Sequence, residues 1–271
     1  MKKVKHKECN LSYQVEGKGE PIVFIQGAGV HGSGWQPQIE QLSREYSCLF
    51  FDNRGIGTSQ PNGTSLSIEQ MSEDVEVLMD AENLESAHIV GHSMGGLIAL
   101  DFALTRRKRV KSLSLLCTFA KGADATKLSL WMLWVGLRTR IGTKSMRRKA
   151  FLEMVMPKSL LVKENTDELA EKLAPIFGHD LADQPPIVMQ QLMAMQSYDV
   201  TNRLIELSGI PTLVVSAKYD RIAPPLLGQS IANRIKGSRY IEIAEAAHGV
   251  TIQYADKINS LLIENIKVVN G

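Results

Sequence analysis

The chain predicts a mostly parallel, doubly wound α/β sheet carrying a helical insertion. Three observations lead there. Short β-branched apolar runs alternate with segments of helical periodicity, and this alternation stops over residues 120–207 and then resumes. A Gly-x-Ser-x-Gly pattern also falls where an apolar strand passes into a small-residue helix. Strands separated by helices pair in parallel, with their crossover helices on both faces of the sheet.

In chain order, Leu11 to Val15 alternates as a strand does, and Gly17-Lys18-Gly19 turns it. Pro21 to Gln26 is a buried strand, Trp35 to Ser43 has helical spacing, and Tyr46 to Phe51 is strand again. Ile68 to Met79 reads as helix, Ala87 to Val90 as strand, Leu97 to Leu104 as apolar helix, and Val110 to Leu116 as strand. Residues 120–207 show no strand pattern and carry Pro157, Pro175 and Pro185-Pro186 as breakers. The rhythm then returns with strand Thr212 to Ser216, helix Leu226 to Arg234, strand Arg239 to Ile243 and helix Ile252 to Ile266. The expected organisation is a core of residues 1–119 and 208–271, interrupted by a helical lid of residues 120–207.

Composition excludes several classes. The chain has 271 residues, 44% of them hydrophobic and 22% charged, enough to bury a sizeable core. A net charge of +2 gives no reason for a polyanionic partner, and no aromatic residues interleave with a basic stripe as in nucleic-acid binders. Cys9, Cys48 and Cys117 lack metal-like spacing, and the last two lie in apolar runs as small buried hydrophobes. The basic start, Met1 to Lys7, lacks the apolar region of a signal peptide, and His6 is expected to lie in a frayed end. The longest apolar stretch, Leu128 to Leu137, is too short to span a bilayer. The expectation is a cytoplasmic enzyme without stable membrane insertion.

The chemistry centres on Gly91-His92-Ser93-Met94-Gly95. A strained turn between strand and helix needs small residues two before and two after the serine, and it aims the free N–H groups of the next helix at the hydroxyl. His88 and His92 would share a face only on a helix. Here a strand leads into a turn and no H-E-x-x-H occurs, so no metal is expected.

A serine hydroxyl needs a base. His248 follows strand Arg239 to Ile243, at the edge of the sheet where the serine turn points; His31 precedes the serine in a glycine-rich loop, His88 is inside a strand, and His179 is in the insertion. Asp220 follows the strand ending at Ser216 and meets the order Ser, Asp, His, with Asp124 as the fallback acid. The carboxylate would hold the histidine tautomer and stabilise the imidazolium. Backbone N–H groups of Met94 and Ala28 are the expected oxyanion donors, the second from the loop Gln26 to Trp35. That loop is glycine-rich, yet no acidic residue ends the next strand as dinucleotide binding requires.

With these residues the chain resembles the α/β-hydrolase superfamily over nearly its whole length. Phe51-Asp52-Asn53-Arg54-Gly55-Ile56-Gly57-Thr58-Ser59 resembles the family's D-x-R-G-x-G-x-S turn, a structural element there. Two departures stand out, Gln26 where many members have histidine and Ala28 in place of a bulkier residue. The resemblance implies a cofactor-free serine hydrolase, and Ser93 in place of an aspartate argues against dehalogenase or epoxide hydrolase chemistry. It also implies that the insertion covers the site. Substrate contacts are expected from His31, Trp35, Trp131 and Trp134. The apolar helix at Leu128 to Leu137 needs cover on more than one side, from the core, an acyl pocket or a second copy of the chain. Arg138, Arg140, Lys144, Arg147, Arg148 and Lys149 read as a solvated basic face, and Met189, Met193 and Met195 as core packing. The expected reaction is hydrolysis of a small-molecule carboxylic ester or lactone through an acyl-enzyme. The alternatives are carbon–carbon bond hydrolysis, perhydrolysis, or a ligand receptor that retains the triad.

Overall fold

Eight strands form one sheet in the order β1-β2-β4-β3-β5-β6-β7-β8, built from β1 (Lys2–His6), β2 (Cys9–Glu16), β3 (Glu20–Ile25), β4 (Tyr46–Phe51), β5 (Ala87–His92), β6 (Val110–Leu116), β7 (Thr212–Ala217) and β8 (Arg239–Ile243). The computed structural model describes residues 1–60, 66–126 and 130–269, with residues 126 and 130–133 as backbone only. β1 and β2 pair antiparallel, as do β2 and β4, and the other neighbours are parallel. The fold class is the one the alternation predicts. The strand order reverses between β3 and β5, because β4 lies on the other side of β3. Open α/β sheets bind ligands outside the carboxyl ends of their strands at such a switch point.

The two faces are covered by different helices. α2 (Ile68–Ala81) and α3 (Met94–Thr105) pack on one face through Val75, Leu78, Leu97, Leu100 and Phe102. On the other, α1 (Gln36–Leu42) and α12 (Ala255–Lys267) contribute Ile39, Leu42, Ile258, Leu261 and Leu262. Ile22, Val23, Phe24 and Ile25 of β3 have no exposed surface, as expected of a strand covered twice. Each such large apolar side chain contributes about 1.5–3 kcal/mol.

β1 corrects the expectation of a frayed start. Residues 2–6 pair with β2, and His6 is held by Asp74 of α2 at 2.6 Å. Asp74 also takes the buried guanidinium of Arg54, so the Asp52–Ser59 turn is anchored to α2 by an ion pair with almost no exposed surface. Asp52 accepts from Gly32 N–H at 2.9 Å and thereby fixes the loop that follows β3.

Between β6 and β7 the described residues form helices and no named strand: α4 (Gly122–Thr126), α5 (Leu130–Arg138), α6 (Lys144–Val155), α7 (Lys158–Leu161), α8 (Thr166–Phe177), α9 (Val188–Gln196) and a 3-10 segment at Thr201–Leu207. The insertion has its own apolar cluster, with Phe151 and Leu152 of α6 against Leu173 and Phe177 of α8. The basic run is solvated in part: Arg140, Lys144 and Lys149 are exposed, whereas other members are tied into ion pairs. Arg148 is 8% exposed and paired with Asp180 at 2.7 Å, Lys144 reaches the same carboxylate at 2.9 Å, and Arg138 reaches Glu153 at 2.6 Å. Arg148 foremost, with Lys144, holds the Asp180 carboxyl well below the usual carboxylate range. Met195 is buried as expected, whereas Met189 and Met193 are exposed. After β7 come α10 (Pro225–Arg234), β8 and α11 (Val250–Gln253), separated from α12 at Tyr254 where one helix was expected. Among the described residues no helix is long and apolar enough to cross a membrane.

Candidate active site

Ser93 stands between β5 and α3 with φ 56° and ψ −122°, a backbone conformation that non-glycine residues rarely adopt. The surrounding chain enforces it. Ser93 N–H donates to Leu116 C=O at 3.0 Å, and Ser93 C=O accepts from Gly96 N–H at 2.9 Å and Thr118 Oγ1 at 2.6 Å. The small residues are required by distance, because a Cβ on Gly91 would stand 2.3 Å from Gly95 O and one on Gly95 would stand 2.1 Å from Ile25 O. Such strain persists only where neighbours over-determine it, and that occurs most often at reactive centres.

The loop after β3 crosses directly over the serine, since a Cβ on Gly27 would lie 3.1 Å from Ser93 Cβ. Ala28 therefore follows a residue in contact with Ser93, and Met94 begins α3 with its side chain fully buried. Both backbone N–H groups expected for an oxyanion belong to segments that meet at Ser93.

His248 and Asp220 are joined as the sequence suggests. His248 Nδ1–H donates to Asp220 Oδ2 at 2.7 Å, while Asp220 Oδ1 accepts from Ile222 N–H at 2.8 Å and Ala223 N–H at 2.9 Å. Both side chains are buried, with Asp220 4% and His248 6% exposed. The fallback acid, Asp124, belongs to α4. His92, the residue before the serine, ties the base into place. Its Nε2 lies 2.9 Å from His248 C=O, an oxygen that only accepts, so Nε2 carries the proton. The two imidazoles lie 4.8 Å apart between centroids, tilted at 45°. Burial lowers the His92 pKa to about 3, with the neighbouring His248 adding to the shift, so His92 stays neutral at ordinary pH. The hydrogen bonds of the described residues include none between Ser93 Oγ and His248; in substrate-free enzymes this contact is often long and tightens on binding.

Donor atoms of His92, Cys117 and His248 lie within 4.8 Å of one another. One ring nitrogen of each histidine is held, His248 Nδ1 by Asp220 and His92 Nε2 by the His248 carbonyl. Burial and the neighbouring Asp220 carboxylate raise the Cys117 thiol well above its ordinary value, which disfavours the thiolate that a metal would need.

A family model of the alpha/beta hydrolase fold matches residues 20–253. The chain belongs to that family. Curated relatives include a protein named "Putative carbamate hydrolase RutD" from Agrobacterium fabrum, 30% identical over 94% of this chain and 97% of the relative. Another, "Putative non-heme bromoperoxidase BpoC" from Mycobacterium tuberculosis, is 29% identical over 94% and 97%. Among solved structures, the enol-lactonase from Burkholderia xenovorans aligns over 98% of this chain and 100% of its own, at a TM-score of 0.82 and 24% identity, a likeness of fold.

The remaining residues singled out from sequence fall in different places on this α/β hydrolase. Trp35 is fully buried among Phe24, Ile39 and Leu42, with His92 edge-on to its ring, so it is a core residue, not the substrate contact expected of it. His31 lies against Asp52 at 3.7 Å and His179 at 6.3 Å between ring centroids, and burial lowers its pKa, with Asp52 opposing. Trp134 is 55% exposed under the guanidinium of Arg138, on the outside of the insertion. The side chain of Trp131 lies outside the described residues. Sequence reasoning missed four contributors, namely His92, Thr118, Gln191 and His179. The last two come from the insertion and grip Gly29. Gln191 Oε1 accepts Gly29 N–H at 2.9 Å, and His179 Nε2 lies 3.0 Å from Gly29 C=O.

Proposed function

We propose that this α/β hydrolase cleaves a small-molecule carboxylic ester or lactone through an acyl-enzyme, with Ser93 as nucleophile, His248 as base and Asp220 as the orienting acid. The observation that carries the reading is the Asp220–His248 hydrogen bond at 2.7 Å, held beside a serine in the strained elbow conformation. Asp220 accepts Nδ1–H and leaves Nε2 unprotonated, the tautomer that can take the Ser93 proton. Attack on the carbonyl places negative charge on its oxygen, where the N–H groups of Ala28 and Met94 would stabilise it. Collapse expels the alcohol, protonated by His248, and water reverses the sequence to release the acid. Residues 120–207 act as the lid in this reading. Ser93 is 7% and His248 6% exposed, so substrate entry requires the insertion to give way.

Carbamate hydrolysis is the second reading, favoured by relatives named putative carbamate hydrolases, such as one from Azorhizobium caulinodans, 28% identical over 94% of both chains. It uses the same carbonyl chemistry with an amine leaving group.

The purified protein is expected to turn over p-nitrophenyl acetate and butyrate, and Ser93→Ala to lose that activity by at least about 10³-fold. Comparable turnover by wild type and Ser93→Ala would remove Ser93 from the reaction.

A further inference from the structure

Gln191 of α9 is fully buried, and among the described residues only one end of its amide has a partner. The orientation of that amide follows from chemistry. Gly29 N–H can only donate, so the atom facing it at 2.9 Å is the carbonyl oxygen, and the amino group is Nε2. Nε2 has no hydrogen-bond partner among the described residues. Among buried, unpartnered side-chain polar atoms of the described residues, it alone is borne on the insertion. A buried donor without an acceptor costs about 1–3 kcal/mol, and such a group in a functional region calls for an explanation.

The grip on Gly29 is rigid. Its carbonyl faces His179 Nε2 at 3.0 Å, its φ is +76°, and a Cβ there would stand 2.9 Å from Val188 Cγ2 of the same helix. Rotating the Gln191 amide to satisfy Nε2 elsewhere would break the bond to Gly29 or set an amino group against an N–H. The carbonyl end of the amide is therefore fixed at Gly29, the residue after Ala28, whose N–H is assigned to the oxyanion. The free amino group sits on the element that must lift or part for substrate to enter.

We propose that Gln191 Nε2 donates a hydrogen bond to an oxygen on the substrate close to the scissile carbonyl, so that the preferred substrates are oxygen-substituted esters or lactones rather than plain alkyl esters. This rests on the ester-hydrolase reading above. Gln191 is thereby a specificity-determining residue whose other end positions the oxyanion loop.

The test compares p-nitrophenyl methoxyacetate with p-nitrophenyl butyrate, which differ by an oxygen in place of one methylene, each kcat/KM divided by its alkaline hydrolysis rate. Wild type is expected to favour methoxyacetate about tenfold after that correction, mainly through KM, the worth of one neutral hydrogen bond. Gln191→Glu keeps an acceptor for Gly29 N–H but has no amino group, and it should bring the corrected methoxyacetate-to-butyrate ratio to about one. Gln191→Met should abolish the preference and also lower kcat for both esters, since the loop loses its anchor. A corrected wild-type ratio near one overturns the proposal without any variant, as does a preference that survives in Gln191→Glu. If wild type hydrolyses neither ester, the ester reading has failed and the donor is tested by binding alone. Ethyl methoxyacetate and ethyl butyrate are then titrated into Ser93→Ala with and without Gln191→Glu. Equal affinities in the protein that retains Gln191 overturn the donor, and a methoxyacetate advantage lost in Gln191→Glu upholds it.

Discussion

Asp220 divides its carboxylate between two tasks, one oxygen held by the N–H groups of Ile222 and Ala223 and the other facing His248 Nδ1. Asp220→Asn preserves the first task and inverts the second. An amide nitrogen would face Nδ1, drive the ring proton to Nε2 and leave no base for Ser93. Ester kcat is expected to fall about 10⁴-fold, with a thermal midpoint within a few degrees of wild type; a fall below tenfold would remove Asp220 from the triad. Ser93, Asp220 and His248 could be singled out because each follows a strand that its apolar run announces, the first directly and the others within the next loop. His92, Gln191 and His179 could not, because their roles depend on which backbone groups the fold brings opposite them. His92 occupies a variable position of the Gly-x-Ser-x-Gly pattern, and only the His248 carbonyl at 2.9 Å reveals its use. Trp35 misled for the converse reason. An aromatic residue at the end of a glycine-rich loop reads as a pocket wall, whereas this one packs into the core against Phe24 at 5.2 Å.

The elements of the sheet domain were readable wherever one periodicity dominated. β3, β4, β6 and β8 lie within a residue of their apolar runs, and β5 continues two residues beyond Val90 to His92. β1 was not, since Lys2-Lys3-Val4-Lys5-His6 carries one apolar residue and an edge strand needs no more. The break at Tyr254 was also hidden, because apolar spacing continues across it. The elbow is the element with the least tolerance. Gly95→Ala would drive a methyl group to 2.1 Å from Ile25 O, a backbone atom of β3 that cannot step aside. It should cost at least about 3 kcal/mol, read as a lower urea midpoint at unchanged m-value. Gly136→Ala in α5 meets nothing within 4 Å and should be neutral or stabilise by about 0.5–1 kcal/mol. Equal midpoints for the two variants would contradict the close approach of α3 to β3.

At the scale of the whole molecule, acid sensitivity follows from the buried imidazoles. His92 has its pKa lowered from 6.5 to about 3 by burial, and His88 is shifted in the same direction, also by burial. Below pH 6.5 the unfolded chain binds protons that the native chain refuses, so stability is full above that value. It declines as pH falls toward 3. Urea midpoints of wild type should drop between pH 7 and 5, and His92→Gln should drop less over the same interval; parallel declines would show that His92 is not kept neutral by the fold.

The three thiols lie at different stations of this sheet, Cys9 on β2, Cys48 on β4 and Cys117 just beyond β6, all buried and unbonded to one another. Burial raises each of their pKa values, that of Cys48 to about 12, so neither reagent nor thiolate is available while the fold is closed. An alkylating agent added to the native protein would mark a cysteine only during an excursion that bares its strand. The order in which the three acquire label then records which part of the molecule lets go first.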